Sequence, residues 1–71
     1  MSADTVSIVA NGKPQSVRMS CSVAEFLSSC GWRPTQVVVE LNGQVLARPD
    51  LTTTILSNED RLEIIVPVAG G

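Results

Sequence analysis

The sequence predicts an α+β domain in which one helix packs across one face of a mixed sheet of four to five strands. Segments of alternating apolar and polar residues lie towards both ends of the chain, and one capped segment with helical apolar spacing lies between them. The 71 residues, 44% of them hydrophobic, are enough for one compact core. We therefore expect a single domain at residues 1–66, followed by a flexible tail at residues 67–71.

The first two strands are predicted to form a hairpin. Residues Thr5–Ala10 alternate between an apolar and a more polar face. Asn11-Gly12 is the strongest short hairpin signal, and Lys13-Pro14 after it suggests a loop of about four residues. Alternation resumes over Val17–Met19, which predicts a second, antiparallel strand.

A short helix is predicted to begin after Ser22. Ser22 and Glu25 have the spacing of a capping box, in which each side chain satisfies an unpaired backbone N–H. Gly31 stands where a left-handed C-terminal cap is wanted, and Pro34 prevents the helix from resuming. Four residues at helical spacing form the expected buried stripe: Val23, Phe26, Leu27 and Cys30.

The second half of the chain is predicted to supply the remaining strands. Gln36–Leu41 alternates, and Asn42-Gly43 turns it into a short strand at Gln44–Leu46. After a longer connection, Arg61–Val66 forms the last strand, which is apolar enough to be central and parallel to the first. Its inward residues are expected to be Leu62, Ile64 and Val66. This order of elements is typical of the β-grasp, or ubiquitin-like, fold.

Composition excludes several functions. The chain has no His, which removes His-dependent catalysis, and two Cys cannot make a four-cysteine metal site. A net charge of -2 and only two aromatic residues, Phe26 and Trp32, argue against nucleic-acid binding. We expect no enzyme activity of its own and no bound cofactor or metal. A small carrier or interaction module fits these constraints.

The location is expected to be cytoplasmic. Met1–Asp4 lacks the basic start of a signal peptide, and no apolar run approaches the roughly 20 residues that span a bilayer. We therefore expect no membrane association and a monomer when free. The two thiols are consistent with a reducing compartment.

The chain end is the candidate reactive part. Gly70-Gly71 follows the predicted last strand closely, and the five residues Pro67–Gly71 reach at most about 18 Å when extended. Without a Cβ, glycines pass through a narrow channel and leave the α-carboxylate unshielded. A carboxylate is a poor electrophile, and the chain has no phosphate-binding loop, so activation has to come from a partner enzyme. The predicted role is that of a group carrier.

The sequence resembles the ThiS family, the sulfur-carrier proteins of thiamine (thiazole) biosynthesis. The similarity extends over essentially the whole chain, and the order and spacing of its pieces make it specific. The matching segments are Val6–Gly12, Ser22–Leu27, Val38–Gly43 followed by Arg48, Leu56–Asp60, Arg61–Ile64 and Gly70-Gly71. One departure is Asn58-Glu59-Asp60, where the family often has Asp-Gly-Asp, so that Glu59 stands at a glycine position and weakens the match there. Asn58 tolerates a left-handed turn, and we therefore expect the turn shape to be kept through Asn58.

The resemblance implies a thiocarboxylate at Gly71, with Gly70 permitting the chain end to thread into a partner. It further implies three partners: an adenylyltransferase of the ubiquitin-activating type that uses ATP and magnesium, a persulfide sulfur donor, and thiazole synthase. Other destinations stay open. They are the small subunit of molybdopterin synthase, another thiocarboxylate carrier, a ubiquitin-like modifier joined to lysines, and an interaction domain with an inert tail.

Partner binding is predicted at two places. Val68, Ala69 and Gly70 belong to the tail that enters the partner. Val9, Val38 and Ile65 are expected to point away from the helix on neighbouring strands, where together they would form a docking patch.

Three further side chains have alternative interpretations. Cys30 is expected in the core, and Cys21 is expected to pack near the start of the helix, although a helix N-terminus can activate a thiol. Trp32 is either a partner anchor or a lid on the core.

Overall fold

The computed structural model describes residues 4–68, which contain one α-helix and five strands in a single sheet. The order across the sheet is β2-β1-β5-β3-β4, so the last strand is central. It runs parallel to β1, as predicted, and it pairs antiparallel with β3 on its other side. The elements are β1 Thr5–Ala10, β2 Lys13–Arg18, α1 Val23–Ser29, β3 Val38–Leu41, β4 Gln44–Val45 and β5 Arg61–Ile65, with 3₁₀ helices at Pro34–Gln36 and Arg48–Leu51.

Both hairpins close through two-residue Asn-Gly turns. Asn11 and Gly12 have φ values of 51° and 79°, and Asn42 and Gly43 have values of 52° and 87°. Positive φ at both central residues is the type I′ geometry, whose twist matches that of the strands. The predicted four-residue loop after β1 was wrong, because Pro14 lies inside β2, opposite Val9. Since β2 is an edge strand, a residue without an N–H is tolerated there.

Local hydrogen bonds cap the helix at both ends. The Ser22 N–H donates to Glu25 Oε1 at 2.9 Å and the Glu25 N–H donates to Ser22 Oγ at 3.0 Å, which confirms the capping box. At the other end Gly31 has a φ of 88°, and the Trp32 N–H donates to the Leu27 carbonyl at 2.9 Å. This is the Schellman arrangement, which satisfies carbonyls of the last turn.

The core lies between the helix and the inner face of the sheet. The sheet contributes inward residues of four strands, and the helix contributes three residues of the predicted stripe. Leu51 and Leu56 also belong to the core, although the sequence pattern placed them only in a connection. The buried hydrophobic residues are Val6, Ile8, Ala10, Val17, Val23, Phe26, Leu27, Val37, Val39, Leu51, Leu56 and Leu62.

The bounds of four strands differ from the prediction. β3 begins at Val38 and not at Gln36, because Pro34–Gln36 form a 3₁₀ helix, and β4 ends at Val45 and not at Leu46.

β5 and β2 also end before the predicted residue. β5 ends at Ile65, and Val66 is 51% exposed instead of facing inward. β2 ends at Arg18, and Met19 beyond it is also exposed. In both cases the alternation of the sequence continues past the last strand pairing, so periodicity alone overextends the strand.

The turn before β5 is built around Glu59. The Ser7 N–H donates to Asn58 Oδ1 at 2.8 Å, and the Glu59 N–H donates to the Ser7 carbonyl at 2.7 Å. Glu59 has a φ of 71°, whereas Asn58 has no positive φ. The expectation that Asn58 would take the left-handed conformation was therefore wrong. Its side chain is used as an acceptor for β1, and the left-handed conformation falls to the next residue.

Replacing Glu59 with glycine is expected to stabilise the fold. The left-handed conformation costs an L-residue roughly 1–2 kcal/mol, and the greater freedom of glycine in the unfolded chain offsets about 0.4–1 kcal/mol of that gain. We expect Glu59→Gly to raise the free energy of unfolding by about 0.5–1 kcal/mol and the Tm by a few degrees, measured by thermal and urea unfolding.

Glu59→Ala is the matched control, because it removes the same exposed side chain but keeps the Cβ. We expect no gain from it. A gain equal to that of the glycine variant would show that backbone strain is not the cause.

Candidate functional site

The candidate site begins where β5 leaves the sheet. Ile65 is the last residue of the strand, and Val66, Pro67 and Val68 follow it without strand pairing. Val68 is 93% exposed. The predicted tail residues Ala69, Gly70 and Gly71 lie outside the described residues, so their predicted roles stay predictions. The described part of the site is thus the base from which they continue.

Side-chain amides hold β5 close to both of its ends. Near the exit, the Ile64 N–H donates to Asn11 Oδ1 at 2.7 Å, and Asn11 Nδ2 donates to the Ile64 carbonyl at 3.3 Å. At the entry, the Arg61 N–H donates to Asn42 Oδ1 at 2.9 Å, and Asn42 Nδ2 donates to Asp60 Oδ1 at 3.0 Å. Sequence reasoning missed both roles, because an Asn-Gly turn already explains each asparagine.

The outer face of the sheet brings together two of the three predicted docking residues. Val38 and Ile65 are directly opposed on β3 and β5 and are 38% and 44% exposed. Val9 is half-buried and pairs with Arg61, four residues before Ile65. That separation is about 13 Å along a strand. The predicted three-residue patch is therefore split, with Val9 lying apart from the other two.

An acidic pair adjoins the two opposed apolar residues. Glu40 and Glu63 are directly opposite on β3 and β5, on the same outer face as Val38 and Ile65. Like charges in opposed positions destabilise a sheet, and Glu40 is half-buried. We call these four residues the outer patch. Its chemistry is an apolar contact beside concentrated negative charge, which suits a partner surface that is apolar and basic.

The two cysteines lie in different surroundings. Cys21 is half-buried against the core, and burial, with a smaller contribution from Glu25, raises the pKa of its thiol. This favours packing over activation by the helix N-terminus. The expectation that Cys30 lies in the core was wrong: it is exposed at the helix end, because the helix stops at Ser29 and Gly31 turns the chain away.

Trp32 packs partly buried against the core, as expected of a lid. Within residues 4–68, no group of three or more His, Cys, Asp or Glu side chains could hold a metal ion. Over the same range, no helix is both long and apolar enough to cross a membrane.

Comparison with known proteins gives a family match over nearly the whole chain. A model of the ThiS family matches residues 3–71. The fold is similar to the crystal structure of the thiamine biosynthesis protein ThiS from Geobacter metallireducens, with a TM-score of 0.80 and 35% identity, covering 93% of this chain and 100% of that one. A solution NMR structure of a thiamine biosynthesis protein from the same organism gives 0.73 and 33%, covering 93% and 88%. These likenesses confirm the predicted β-grasp fold.

Two sequence relatives add to this picture. The uncharacterised protein ycf40 of Pyropia yezoensis is 33% identical over 66 residues, which are 93% of each chain. A thiazole synthase of Magnetococcus marinus is 28% identical over 61 residues, which are 86% of this chain and 19% of that protein. The chain therefore spans about a fifth of that second relative.

The cysteine environments predict different rates of alkylation. Near neutral pH we expect iodoacetamide to modify Cys30 first, because it is exposed, and Cys21 slowly, because its raised pKa leaves little thiolate. The Cys21 rate should rise as the pH becomes alkaline. Peptide mass spectrometry on Cys21→Ser and Cys30→Ser variants measures each thiol separately. Equal rates at neutral pH would contradict the assignment of Cys21 as a packing residue.

Proposed function

The chain belongs to the ThiS family, and from that premise we propose that Gly71 carries sulfur as a thiocarboxylate for formation of the thiamine thiazole. Family membership and the thiamine biosynthesis structures support the broader role, that of a sulfur carrier in thiamine biosynthesis. The observation that carries the proposal is the family match, which continues through the glycine pair to residue 71. The thiamine proteins among the relatives favour this destination over the molybdopterin and modifier alternatives.

The proposed chemistry takes place on the chain end and is driven by partners. The Gly71 carboxylate attacks the α-phosphate of ATP and releases pyrophosphate, so that an anionic oxygen becomes part of a good leaving group. A persulfide sulfur then attacks the acyl carbon and displaces AMP. A thiol cleaves the resulting S–S bond, which leaves the thiocarboxylate on Gly71 and a disulfide on the donor side. The chain acts as co-substrate throughout, with ATP and magnesium bound by the activating enzyme.

Three partners follow from this sequence of steps. They are an adenylyltransferase of the ubiquitin-activating type, a persulfide donor, and thiazole synthase as the acceptor. The alignment with part of a thiazole synthase supports thiazole synthase as a partner. That relative contains, in one polypeptide, a segment similar to this chain together with the rest of a thiazole synthase. We place the reaction in the cytoplasm.

We propose that the outer patch is the surface on which the activating enzyme docks. It lies on the face of the sheet away from the helix, and its Ile65 ends the strand that continues into Val68, Ala69 and Gly70. A partner seated there would contact the patch and receive the tail at the same time. Glu40 and Glu63 would be compensated by basic side chains of that partner, which relieves their mutual repulsion.

Sulfur loading tests the function directly. Incubation with the cognate activating enzyme, ATP and a persulfide donor is expected to add the mass difference of sulfur replacing one oxygen, seen by intact-mass spectrometry. Deleting Gly70 and Gly71 should abolish the gain, because the activated group is lost. A Cys21→Ser, Cys30→Ser double variant is the control and should still be loaded. No mass gain on the wild type, with an activating enzyme that hydrolyses or exchanges ATP and a donor that carries persulfide, would overturn the proposal.

Introducing a negative charge into the apolar part of the outer patch tests the proposed docking surface. Ile65→Asp is expected to weaken binding to the activating enzyme by about tenfold or more, since a buried interface anchor is typically worth over 1 kcal/mol. Calorimetric titration with unloaded protein measures the affinity. Met19→Asp is the matched control, because Met19 is similarly exposed but lies at the opposite end of the sheet. Equal weakening by both variants would reject the outer patch as the docking surface.

A further inference from the structure

The Asn11 side chain extends the pairing of β1 along β5 beyond the point where the β1 backbone turns away. The last Cα pair between the two strands is Ala10 with Leu62, and the Asn11 N–H then donates to the Leu62 carbonyl at 2.8 Å. Gly12 turns the backbone into β2. At this point the Asn11 amide takes over and bonds both backbone groups of Ile64, at 2.7 and 3.3 Å.

This amide acts as a substitute for one residue of a strand. A primary amide can present its oxygen and one of its two N–H groups side by side in one plane, and a backbone residue presents the same kinds of group, one acceptor and one donor, to its neighbour. Ile64 is thereby held on the β1 side, while Ile65 is held on the β3 side by its pairing with Val38. Val66 is the first residue after these two contacts, and it belongs to no strand.

The turn by itself does not require this side chain. A type I′ turn needs positive φ at its first central position, and glycine or aspartate supplies that as well as asparagine does. Asn11 is therefore in a position where the conformational role and the side-chain role can be separated by substitution.

We propose that Asn11 is a positioning residue, whose bidentate amide fixes the end of β5 and so the direction in which the chain leaves the sheet towards its terminal glycines. This rests on the proposed function, because direction matters only if a partner has to receive the chain end. An error in direction at Ile64 grows over the seven residues from Ile65 to Gly71. If the folded domain docks correctly but the tail leaves it in the wrong direction, the Gly71 carboxylate does not reach the partner's ATP.

The chain contains its own control for this proposal. Asn42 occupies the same position in the other Asn-Gly turn and accepts the Arg61 N–H on the same strand. It holds the entry of β5, whereas Asn11 holds the exit. Asn42→Gly and Asn11→Gly therefore remove equivalent amides and keep equivalent turns, but only the second releases the strand end that leads to the tail.

Amide hydrogen exchange tests the contact without any partner. Asn11→Gly is expected to speed amide exchange at Ile64 by about tenfold relative to exchange at Arg61. The reason is that loss of the hydrogen bond shifts the local opening equilibrium by about this factor. Asn42→Gly should do the reverse. Equal acceleration at both amides in both variants would mean that the bonds act only through global stability, and it would overturn the proposal.

Sulfur loading tests the consequence. We expect Asn11→Gly to lower kcat/KM for loading by about three- to tenfold, mostly through kcat, because docking is intact while the tail is misdirected. Asn42→Gly, compared at equal fraction folded, should load like the wild type. Asn11→Asp keeps the acceptor for the Ile64 N–H and should recover part of the loss. Equal losses in the two glycine variants, or no recovery with aspartate, would reject the positioning role.

The two proposals fail in different ways. If the wild type is not loaded, the sulfur-carrier function is wrong, and the exchange data alone decide whether Asn11 fixes the strand end. If the wild type is loaded and Asn11→Gly is loaded equally well, the function stands and the positioning role is wrong.

Discussion

The pairing of β1 with β5 is the interaction on which the rest of this structure depends. It joins the first and the last strand in the middle of the sheet, so the last strand has neighbours on both sides. Ile8 and Leu62, on these two strands, are each 1% exposed beneath the helix. Because the parallel contact spans few residues, it relies on side-chain bonds from Asn11 and Asn58 to complete it. A strand anchored in this way provides a firm base for the residues that follow it.

Local patterns predicted the elements well, and contacts between distant segments account for the errors. The bounds of β1 and the capping box at Ser22 follow from neighbouring residues and agree with the structure. The loop after β1 was predicted too long, because Pro14 was assigned to it. A proline is tolerated inside β2 because β2 is an edge strand, and its edge position is not visible in the local sequence. Leu51 and Leu56 are core residues because their segment crosses to the helix start, where the Leu56 N–H donates to the Cys21 carbonyl at 2.9 Å. No periodicity within the segment indicates that contact.

The candidate site could be predicted only where it depends on residue type. The glycine pair and the outward direction of Val38 and Ile65 are readable from the sequence and its alternation. The separation of Val9 from them is not, because it depends on the register between β1 and β5, which are distant in the sequence. The Glu40–Glu63 apposition is hidden for the same reason, since it is a property of the pairing between β3 and β5.

The parallel direction of the first and last strands also determines where a label can be attached to the protein. Asp4 precedes β1 at one end of the sheet, and Val68 follows β5 at the opposite end. A fluorophore, an affinity label or an additional domain joined ahead of β1 would thus sit at the end of the sheet opposite to the one where β5 ends. Such attachments leave the end of β5 unobstructed, which makes the amino-terminal side of β1 the suitable place for immobilisation or reporter groups.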